Sequence, residues 1–290
     1  MALENPNDKV TIAPFSKGIK IKVSGLAADT IPTNPDKNTA GVVAKQILEE
    51  FSLKTGLIIE IEKGILPSLG LGSSAASASA VAFGLNHLFN LKLDHKQLIR
   101  LAAKGEIASA GFEHADNVSA AIYGGFIIIK SYTPLEVTRL ESPPNLGICL
   151  TLPKVPVTPK KTEKARSVLP KNVSMEKLVH NVGHAATMVA GFATGNVDLI
   201  GKSMADAVVE PARAFLVPGY QQVKENALKA GACGVAISGA GPAMIAIINT
   251  NKADASKVAE AMEKGFKSAG VSATTICTRP GKGVSMLEVK

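Results

Sequence analysis

The segment from Pro67 to Ala76 reads Pro-Ser-Leu-Gly-Leu-Gly-Ser-Ser-Ala-Ala and leads into a predicted helix. Its two glycines, Gly70 and Gly72, let a backbone approach a ligand closely, and the first amides of the helix then face that ligand with the positive end of the helix dipole. Ser73 and Ser74 add hydroxyls that can cap the helix, bind a phosphate oxygen or ligate Mg²⁺. The segment therefore predicts an anion site; a capped helix of small residues with no ligand is the alternative.

A second group of polar residues comprises Glu106, His114, Asp116 and Asn117. A nucleotide phosphate needs a divalent cation, which prefers carboxylate and hydroxyl oxygens as ligands. Glu106 and Ser74 would supply such oxygens, unless Glu106 is an ordinary solvated helix residue. His114 is either a ligand contact or a structural histidine, and Asp116 is either a general base or an ion-pair partner. Asn117 can orient a hydroxyl group but cannot take its proton.

A third group lies in the second half of the chain. Residues 238–242 read Ser-Gly-Ala-Gly-Pro and stand between two apolar segments. Such a turn exposes several backbone N–H groups that can close over phosphates, although a tight hairpin connection has the same composition. Arg166 and Arg213 carry planar guanidinium forks that suit a substrate carboxylate, whereas an isolated arginine is usually a surface residue.

Hydrophobic periodicity predicts the elements that must position these residues. Alternation from Val10 to Val23 predicts a hairpin with its turn near Gly18, and helical spacing from Thr39 to Phe51 predicts a helix that Thr39 caps. Further helices are predicted at 73–89, 94–109 (capped by Asp94), 175–194, 199–207, 220–230 and 253–269. Further strands are predicted at 57–61, 122–130, 146–152, 234–237 and 243–248. Two prolines within 141–145 mark a boundary, and the irregular alternation favours two α+β domains, 1–146 and 147–290.

Composition narrows the class of partner. The 290 residues include no Trp and only 4% aromatic residues, which argues against stacking of single-stranded nucleic acid. The net charge of +8 comes from scattered basic residues, which is typical of an ordinary soluble surface; it argues against a nucleic-acid partner and leaves phosphorylated small molecules open as partners. With no apolar run of about 18 residues and no signal sequence, we expect a cytoplasmic protein with no membrane partner. Cys149, Cys233 and Cys277 form no CxxC pair and are expected to be reduced core residues that form neither a zinc site nor a disulfide.

Together and in this order, the three motifs resemble those of the GHMP kinase family, which includes galactokinases and the homoserine, mevalonate and phosphomevalonate kinases. Within that family the chain is most similar to the homoserine kinases, particularly the archaeal forms. Three strings carry this finer resemblance: Ile-Pro-Thr-Asn-Pro-Asp-Lys-Asn at 31–38, His-Ala-Asp-Asn-Val at 114–118 with Gly124 and Gly125, and Val-Glu-Pro-Ala-Arg at 209–213. The resemblance extends from about Leu3 to the C-terminus.

The resemblance implies a fold and an activity. The N-terminal domain would resemble domain 2 of ribosomal protein S5, and the C-terminal domain would be ferredoxin-like. The enzyme would be an ATP:alcohol phosphotransferase that transfers the γ-phosphoryl group of ATP to the hydroxyl of L-homoserine and yields O-phospho-L-homoserine for threonine biosynthesis. ATP and Mg²⁺ are the implied cofactors, and a homodimer is the assembly expected by analogy.

The resemblance also assigns roles by position. Ser74 and Glu106 would hold Mg²⁺ and, with Asn117, form the catalytic set. The residues that match ATP-binding positions are Asn38, Thr39, Lys63, Leu66, Pro67, Ser68, Leu69, Gly70, Leu71, Gly72, Ser73, Ser74, Ala75 and Ala76. The residues that match substrate positions are His114, Asn117, Thr162, Arg166, Arg213, Gly239 and Gly241. Asp116 lies in the string that supplies a base in many family members, but homoserine kinases are often argued to work without one.

The chain departs from the family pattern in three places. Family members begin with a segment like Pro-x-Thr-Ser-Ala-Asn-Leu-Gly-x-Gly-Phe-Asp, and Met1 stands just after the position of that segment. We therefore expect the native start to lie upstream, and a chain of this length to bind nucleotide with weak or absent homoserine kinase activity. Leu69 replaces a small residue before Gly70, and Ala207 replaces a lysine. The alternatives are another small-molecule GHMP kinase of the mevalonate or shikimate type, or a catalytically silent nucleotide-binding module.

Overall fold

The computed structural model describes residues 1–110, 115–156 and 161–287, without the side chains of residues 107–110. Within it the chain divides into two compact units. Unit 1 comprises Met1–Pro67, Gly72–Arg139 and Gly281–Lys290, and unit 2 comprises Ser68–Leu71 and Leu140–Pro280. Both units mix helices with strands, which confirms the predicted α+β class.

Unit 1 contains five strands and four α-helices in the described residues. The strands are β1 (Lys9–Phe15), β2 (Ile19–Gly25), β3 (Gly56–Lys63), β4 (Phe126–Tyr132) and β5 (Leu135–Leu140), of which the last residue belongs to unit 2. The helices are α1 (Thr39–Glu50), α2 (Ser73–Leu88), α3 (His95–Ala110) and α4 (Ala115–Tyr123). Asn38, not Thr39, caps α1, because its Oδ1 accepts the N–H groups of Ala40 and Gly41. Asp94 caps α3 as predicted and accepts the N–H of Gln97 at 2.8 Å.

The first sheet of unit 1 has the order β1-β3-β2. β3 runs antiparallel to β1 and parallel to β2, so the hairpin predicted between Val10 and Val23 is wrong. The reason is that β3 is the most apolar of the three strands: Leu57, Ile59 and Ile61 are all buried. The central position gives β3 hydrogen-bonding partners along both edges, and helix α1 supplies the crossover that a parallel pair needs. β4 and β5 form a separate two-stranded sheet.

The core of unit 1 lies between this sheet and helices α1, α2 and α3. Its largest fully buried side chains are Ile47, Leu57, Ile59, Leu85, Leu98, Ile99 and Leu101. Helix α2 presents mainly alanine and serine to its neighbours, with Ala75, Ala78 and Ala82 buried. Because alanine combines a small side chain with the highest helix propensity, α2 remains helical and packs closely on α1 and α3.

Unit 2 is built on a four-stranded antiparallel sheet of order β7-β8-β6-β9. Its strands are β6 (Leu146–Pro153), β7 (Gly234–Ile237), β8 (Met244–Asn249) and β9 (Ala273–Thr278). Its helices are α5 (Lys161–Ser167), α6 (Met175–Ala193), α7 (Val197–Lys202), α8 (Val209–Arg213), α9 (Tyr220–Lys229) and α10 (Ala255–Ser268). With helices between β6 and β7 and between β8 and β9, this order is the split βαββαβ pattern of ferredoxin-like folds, as expected.

The sheet of unit 2 is covered by α9 and α10, whose Val223, Val258, Met262 and Phe266 are fully buried. Strand β6 is buried along its whole length, as befits a central strand. Cys149 on β6 is buried, but Cys277 on β9 is exposed, so the expectation of a core position is wrong for Cys277. All three cysteines are free thiols in the structure.

The two units do not divide where the sequence analysis placed its domain boundary. Unit 1 gives way to unit 2 after Arg139, before the two prolines, rather than at residue 146. The chain also returns to unit 1 at Gly281, whose N–H donates to the Ala2 carbonyl and whose carbonyl accepts the N–H of Gly125. Such backbone pairing leaves no pattern of side-chain types in the sequence. Among the described residues, no helix is both long and apolar enough to cross a membrane.

Candidate functional site

Helix α2 begins in unit 1 with a left-handed glycine. Gly72 is the N-cap residue with φ +68°, and it has no side chain with which to cap the helix. The hydroxyl of Ser73 points elsewhere and donates to the Ile65 carbonyl at 2.8 Å. The first N–H groups of a 16-residue helix are therefore presented without a side-chain acceptor, which is the arrangement that binds an anion.

Ser74 and Glu106 meet beside this helix start. The Ser74 hydroxyl donates to Glu106 Oε2 at 3.1 Å, and Glu106 is only 4% exposed. Burial raises the pKa of Glu106 to about 7, the negative charge of Asp116 adds to this effect, and the bond from Ser74 opposes it. The Glu106 carboxyl group is thus poised to change charge near neutral pH.

Lys63, at the end of β3, is held by a buried ion pair. Its ammonium contacts the Asp8 carboxylate and donates to the Ser73 carbonyl and the Ser77 hydroxyl, each at 2.9 Å. Both side chains of the pair are at most 3% exposed. An ammonium has three N–H donors, so these partners occupy all of them.

Asp8 links three elements through the same pair. Its Oδ1 accepts the N–H groups of Gly64 and Ile65, each at 3.0 Å, and its Oδ2 accepts the Ser77 hydroxyl at 3.0 Å. Asp8 therefore connects the start of β1, the end of β3 and the first turns of α2, and we refer to its ion pair with Lys63 as the Asp8–Lys63 clamp. This arrangement fixes the place at which the glycine-rich segment enters α2.

Asn117, in the first turn of α4, lies next to Gly72. A Cβ added at Gly72 would come 3.2–3.3 Å from the Asn117 side chain, so any larger residue there would press against it. Asp116 Oδ1 accepts the N–H of Asn117 at 2.8 Å. Both residues help to line a cavity of about 300 Å³ whose other walls include Ile127, Ile129 and Tyr132. Unit 1 thus brings Asn117 to the start of α2, beside an open cavity with both polar and apolar walls.

In unit 2, the tip of the glycine-rich segment packs on the turn at 238–242. The Ser238 hydroxyl donates to the Gly70 carbonyl at 3.1 Å, and the Ala243 N–H donates to the Leu69 carbonyl at 3.3 Å. Gly70 has φ +83°, and a Cβ there would collide with the Ser238 carbonyl and come 2.8 Å from the Gly241 nitrogen. Both features require glycine at position 70.

Three basic residues gather beside this turn. Arg213 donates from Nε to the Ala165 carbonyl at 2.8 Å and from Nη1 to the Gly239 carbonyl at 3.1 Å, which joins α8 to α5 and to the turn. Burial and the nearby charge of Arg166 lower the pKa of Arg213. Lys161 donates to the Ser68 carbonyl at 2.7 Å, and burial, together with Arg213, lowers its pKa to about 8. The mutual repulsion of these cations favours an anionic ligand.

Helix α8 is anchored by two carboxylates. The Asp206 carboxylate accepts the N–H groups of Val208, Val209 and Glu210 at 2.8–3.1 Å and so caps the helix that carries Arg213. Buried Glu210 pairs with Lys224 at 2.7 Å. A cavity of about 80 Å³, lined in part by Asp206, Glu210, Arg213 and Gly239, lies next to the Arg213 guanidinium.

The predicted site residues thus fall into two groups, one in each unit. Unit 1 assembles Ser73, Ser74, Glu106, Lys63 and Asn117, and unit 2 assembles Arg166, Arg213, Gly239 and Gly241 with residues 68–71. Asn38 is buried, and its side chain caps α1 and donates to the Pro32 carbonyl at 2.6 Å. Thr39 is buried, whereas Thr162 is exposed on α5. His114 lies outside the described residues.

Asp8 and Lys161 are two of the residues at these sites that the sequence analysis did not select. Asp8 stands in a polar stretch, Asn-Asp-Lys, that carries no motif, and its partner Lys63 is 55 residues away. Lys161 stands among other lysines, Lys160 and Lys164, and residue type alone does not distinguish it from them. In the described ranges 1–110, 115–156 and 161–287, no group of three or more His, Cys, Asp or Glu side chains is placed to hold a metal ion.

Family models match both parts of the chain. The model of the GHMP kinases N terminal domain matches residues 38–125, and the model of the GHMP kinases C terminal domain matches residues 188–268. The chain belongs to the GHMP kinase family. As a GHMP kinase it uses ATP as the phosphoryl donor. The start of α2 lies inside the range matched by the N-terminal model, and the turn at 238–242 lies inside the range matched by the C-terminal model.

Several proteins resemble this GHMP kinase over most of their length. The homoserine kinase of Methanococcus vannielii is 49% identical over 249 residues, which cover 85% of this chain and 80% of that protein. The homoserine kinase of Natronomonas pharaonis is 41% identical over 285 residues, which cover 98% of this chain and 92% of that protein. The crystal structure of homoserine kinase from Cytophaga hutchinsonii has a TM-score of 0.89 and 36% identity, and the match covers 97% of this chain and 88% of that one.

Proposed function

We propose that this GHMP kinase is a homoserine kinase, which transfers the γ-phosphoryl group of ATP to the hydroxyl of L-homoserine and yields O-phospho-L-homoserine for threonine biosynthesis. The observation that carries the proposal is identity of 41–49% with proteins named homoserine kinase, over 80–92% of their length. The matched range includes the arginine-bearing string at 209–213, which is where a substrate carboxylate would be bound.

The start of α2 is the proposed phosphate site. Its uncapped N–H groups and the positive end of its dipole favour the triphosphate, and the clamp by Asp8 and Lys63 holds those groups in place. Phosphoryl transfer proceeds through a loose transition state, so catalysis depends mainly on positioning and on neutralisation of charge. Residues 66–76 remain the proposed ATP-binding segment. Asn38, Thr39 and Lys63 are buried, and the polar groups of Asn38 and Lys63 are bonded within the protein, so these residues would support that segment rather than contact the nucleotide.

Ser74 and Glu106 fit a magnesium ion by the chemistry of their donors. The two oxygens lie 3.1 Å apart, and a hydroxyl and a carboxylate are the hard oxygen donors that would hold Mg²⁺ here. Magnesium in kinases is held by few side chains and by the phosphates, so a larger cluster of ligands is not needed. When bound, the ion supplies neutralisation of phosphate charge.

Arg213 and Arg166 are the proposed partners of the homoserine carboxylate. Two of the five N–H donors of Arg213 are used by Ala165 and Gly239, and those two bonds fix the plane of its guanidinium group. Its remaining donors suit a bidentate bond to a carboxylate, and Thr162 and Arg166 share one face of α5 beside it. His114, Gly239 and Gly241 complete the proposed substrate contacts.

Asn117 is the proposed residue that orients the substrate hydroxyl. Its side chain lies next to Gly72, at the start of the helix that would bind the phosphates. An amide can hold a hydroxyl by hydrogen bonding but cannot remove its proton, so Asn117 would orient the hydroxyl without acting as a base. We assign no proton transfer to Asp116, which binds the backbone of its own helix.

A coupled assay of ADP release with Mg²⁺ and ATP tests the proposal. We expect release that depends on L-homoserine, and turnover of about 1–100 per second would show that the expectation of weak activity for a chain of this length is wrong. Faster release with mevalonate or shikimate would instead make the chain another small-molecule GHMP kinase. Binding of ATP with no release on any of the three alcohols would indicate a catalytically silent nucleotide-binding module. The cytoplasmic location and the homodimer stay predictions. Cell fractionation would test the location, and analytical ultracentrifugation would test the homodimer.

A further inference from the structure

Two thiols far apart in the sequence meet in the sheet of unit 2. Cys149 on β6 is directly opposite Cys277 on β9 in the antiparallel register, although 128 positions separate them in the chain. Their sulfur atoms are 3.3 Å apart. Both sulfurs are also within hydrogen-bonding distance of the Ala255 carbonyl oxygen, at 3.2 Å for Cys149 and 3.7 Å for Cys277. The two side chains therefore lie on the same face of the sheet.

The strand geometry suits a covalent bond between them. Directly opposite residues of an antiparallel pair have Cα atoms about 4.5–5.5 Å apart, which is inside the range of about 4.4–6.8 Å that disulfides span. The next pair along the same face, Thr151 and Thr275, confirms the register, since their hydroxyl oxygens are 2.9 Å apart. Bond formation has to bring the two sulfurs from 3.3 Å to about 2.0 Å apart.

The two thiols differ in access to solvent. Cys277 is exposed on an edge strand, whereas Cys149 is fully buried on the neighbouring central strand. Burial, and then the adjacent Cys277, raise the pKa of the Cys149 thiol. An oxidant from solvent therefore meets Cys277 first, and Cys149 reacts second and more slowly at neutral pH.

We propose that Cys149 and Cys277 form a reversible cross-strand disulfide when the protein meets a small-molecule disulfide such as oxidised glutathione. The Cys277 thiolate attacks one sulfur of the oxidant, which forms a mixed disulfide and releases one glutathione thiolate. Cys149 then loses its proton and attacks the Cys277 sulfur, which forms the Cys149–Cys277 bond and releases the second glutathione thiolate. Both thiolates take up the protons that the cysteines lost, so one disulfide is reduced and one is formed.

The new bond joins edge strand β9 to central strand β6. It closes a loop of more than a hundred residues, and a cross-link of that length removes much conformational entropy from the unfolded chain. We expect the oxidised protein to melt several degrees higher than the reduced protein, roughly 5 °C or more. Exposure of one partner makes the bond accessible to reductants, so the shift is expected to reverse with dithiothreitol.

Intact-mass measurement and peptide mapping of the whole protein after treatment with oxidised glutathione test this inference. We expect a loss of two hydrogen atoms and a linked peptide that contains Cys149 and Cys277, in the wild type and in the Cys233→Ser control alike. In Cys149→Ser the reaction is expected to stop at a stable glutathione adduct on Cys277. In Cys277→Ser we expect neither the disulfide nor a glutathione adduct at position 149.

Other results would overturn the inference. These are a wild-type protein that keeps glutathione on Cys277 beside a free Cys149, a disulfide that includes Cys233, or no reaction at Cys277. The melting temperature of each variant without oxidant checks that it folds, and this check matters most for Cys149→Ser because Cys149 is buried. These outcomes do not depend on kinase activity, so they are separate from the test of the proposed function.

Discussion

The Ser74 hydroxyl lies 3.1 Å from Glu106 Oε2, at the first turn of the helix that follows the glycine-rich segment. The two residues come from helices α2 and α3, 32 positions apart in the sequence. Burial raises the pKa of Glu106 to about 7, so the pair joins a hydroxyl to a carboxyl group whose charge depends on pH. This relationship carries the proposed metal chemistry.

Removal of either member of the pair should slow phosphoryl transfer. We expect Ser74→Ala and Glu106→Gln each to lower kcat on the order of 100-fold, as loss of one group that stabilises transition-state charge typically does. Nucleotide binding should change little, because the helix amides remain. Ser79→Ala is the matched control, since Ser79 is a buried serine on the same helix, and its kcat should stay near that of the wild type. Steady-state kinetics at saturating ATP measure all three, and an unchanged kcat in both test variants would contradict the metal assignment.

The requirement for Mg²⁺ should depend on pH. Below a pKa of about 7 the Glu106 carboxyl group is protonated and neutral, and above it the group is an anion that can ligate the ion. We therefore expect the Mg²⁺ concentration for half-maximal rate to rise about tenfold for each pH unit below 7, and to level off above 7. Titrations of Mg²⁺ from pH 5.5 to 8.5 measure this. In Glu106→Gln the same steep rise should disappear, and its persistence would assign the titration to another group.

Loss of Asp8 should destabilise the protein more than loss of a surface carboxylate. Asp8→Asn leaves the Lys63 ammonium buried without its counter-ion, and breaking a buried pair in this way costs about 3–5 kcal/mol. Glu60→Gln is the control, because the pair of Glu60 with Lys22 is exposed and contributes less than about 1 kcal/mol. Urea unfolding compares the free energies of unfolding. Equal effects from the two substitutions would show that Asp8 is not a clamp.

Arg213 should govern affinity for the amino acid substrate rather than for ATP. A lysine at position 213 keeps the positive charge but cannot bind the Ala165 and Gly239 carbonyls and a carboxylate with one planar fork. We expect Arg213→Lys to raise the KM for homoserine about 10–100-fold, with the KM for ATP nearly unchanged. Arg100→Lys, on the exposed surface of α3, serves as the control. A selective rise in the KM for ATP would show that Arg213 contacts the nucleotide and not homoserine, which would contradict this prediction.

The sequence predicts most helices of this protein well, because periodicity and caps are local. Helix α2 begins at Ser73 and α6 at Met175, the residues at which the patterns begin. The predicted hairpin is wrong because β3 lies between β1 and β2 in the sheet. Strand order depends on which strand buries the most apolar side chains, and not on adjacency in the chain. Strand β9 was missed: its Thr-rich segment carries no alternation of apolar and polar residues.

The candidate site shows the same division between local and distant information. The glycine-rich segment and the pairing of Ser74 with Glu106 were predictable from residue types and the family resemblance. The clamp of Lys63 by Asp8 was not, since it joins residues 55 positions apart with no motif at Asp8. Pairing of Cys149 with Cys277 likewise follows from register, which residue types do not show.

The central claim is that this protein phosphorylates the hydroxyl of homoserine, and phosphorus NMR of the reaction mixture tests it most directly. With Mg²⁺, ATP and L-homoserine we expect one phosphate monoester, O-phospho-L-homoserine, to appear for each ADP formed, and we expect Glu106→Gln to form both far more slowly. ADP that accumulates with inorganic phosphate and no monoester, or no ADP at all, would contradict the account.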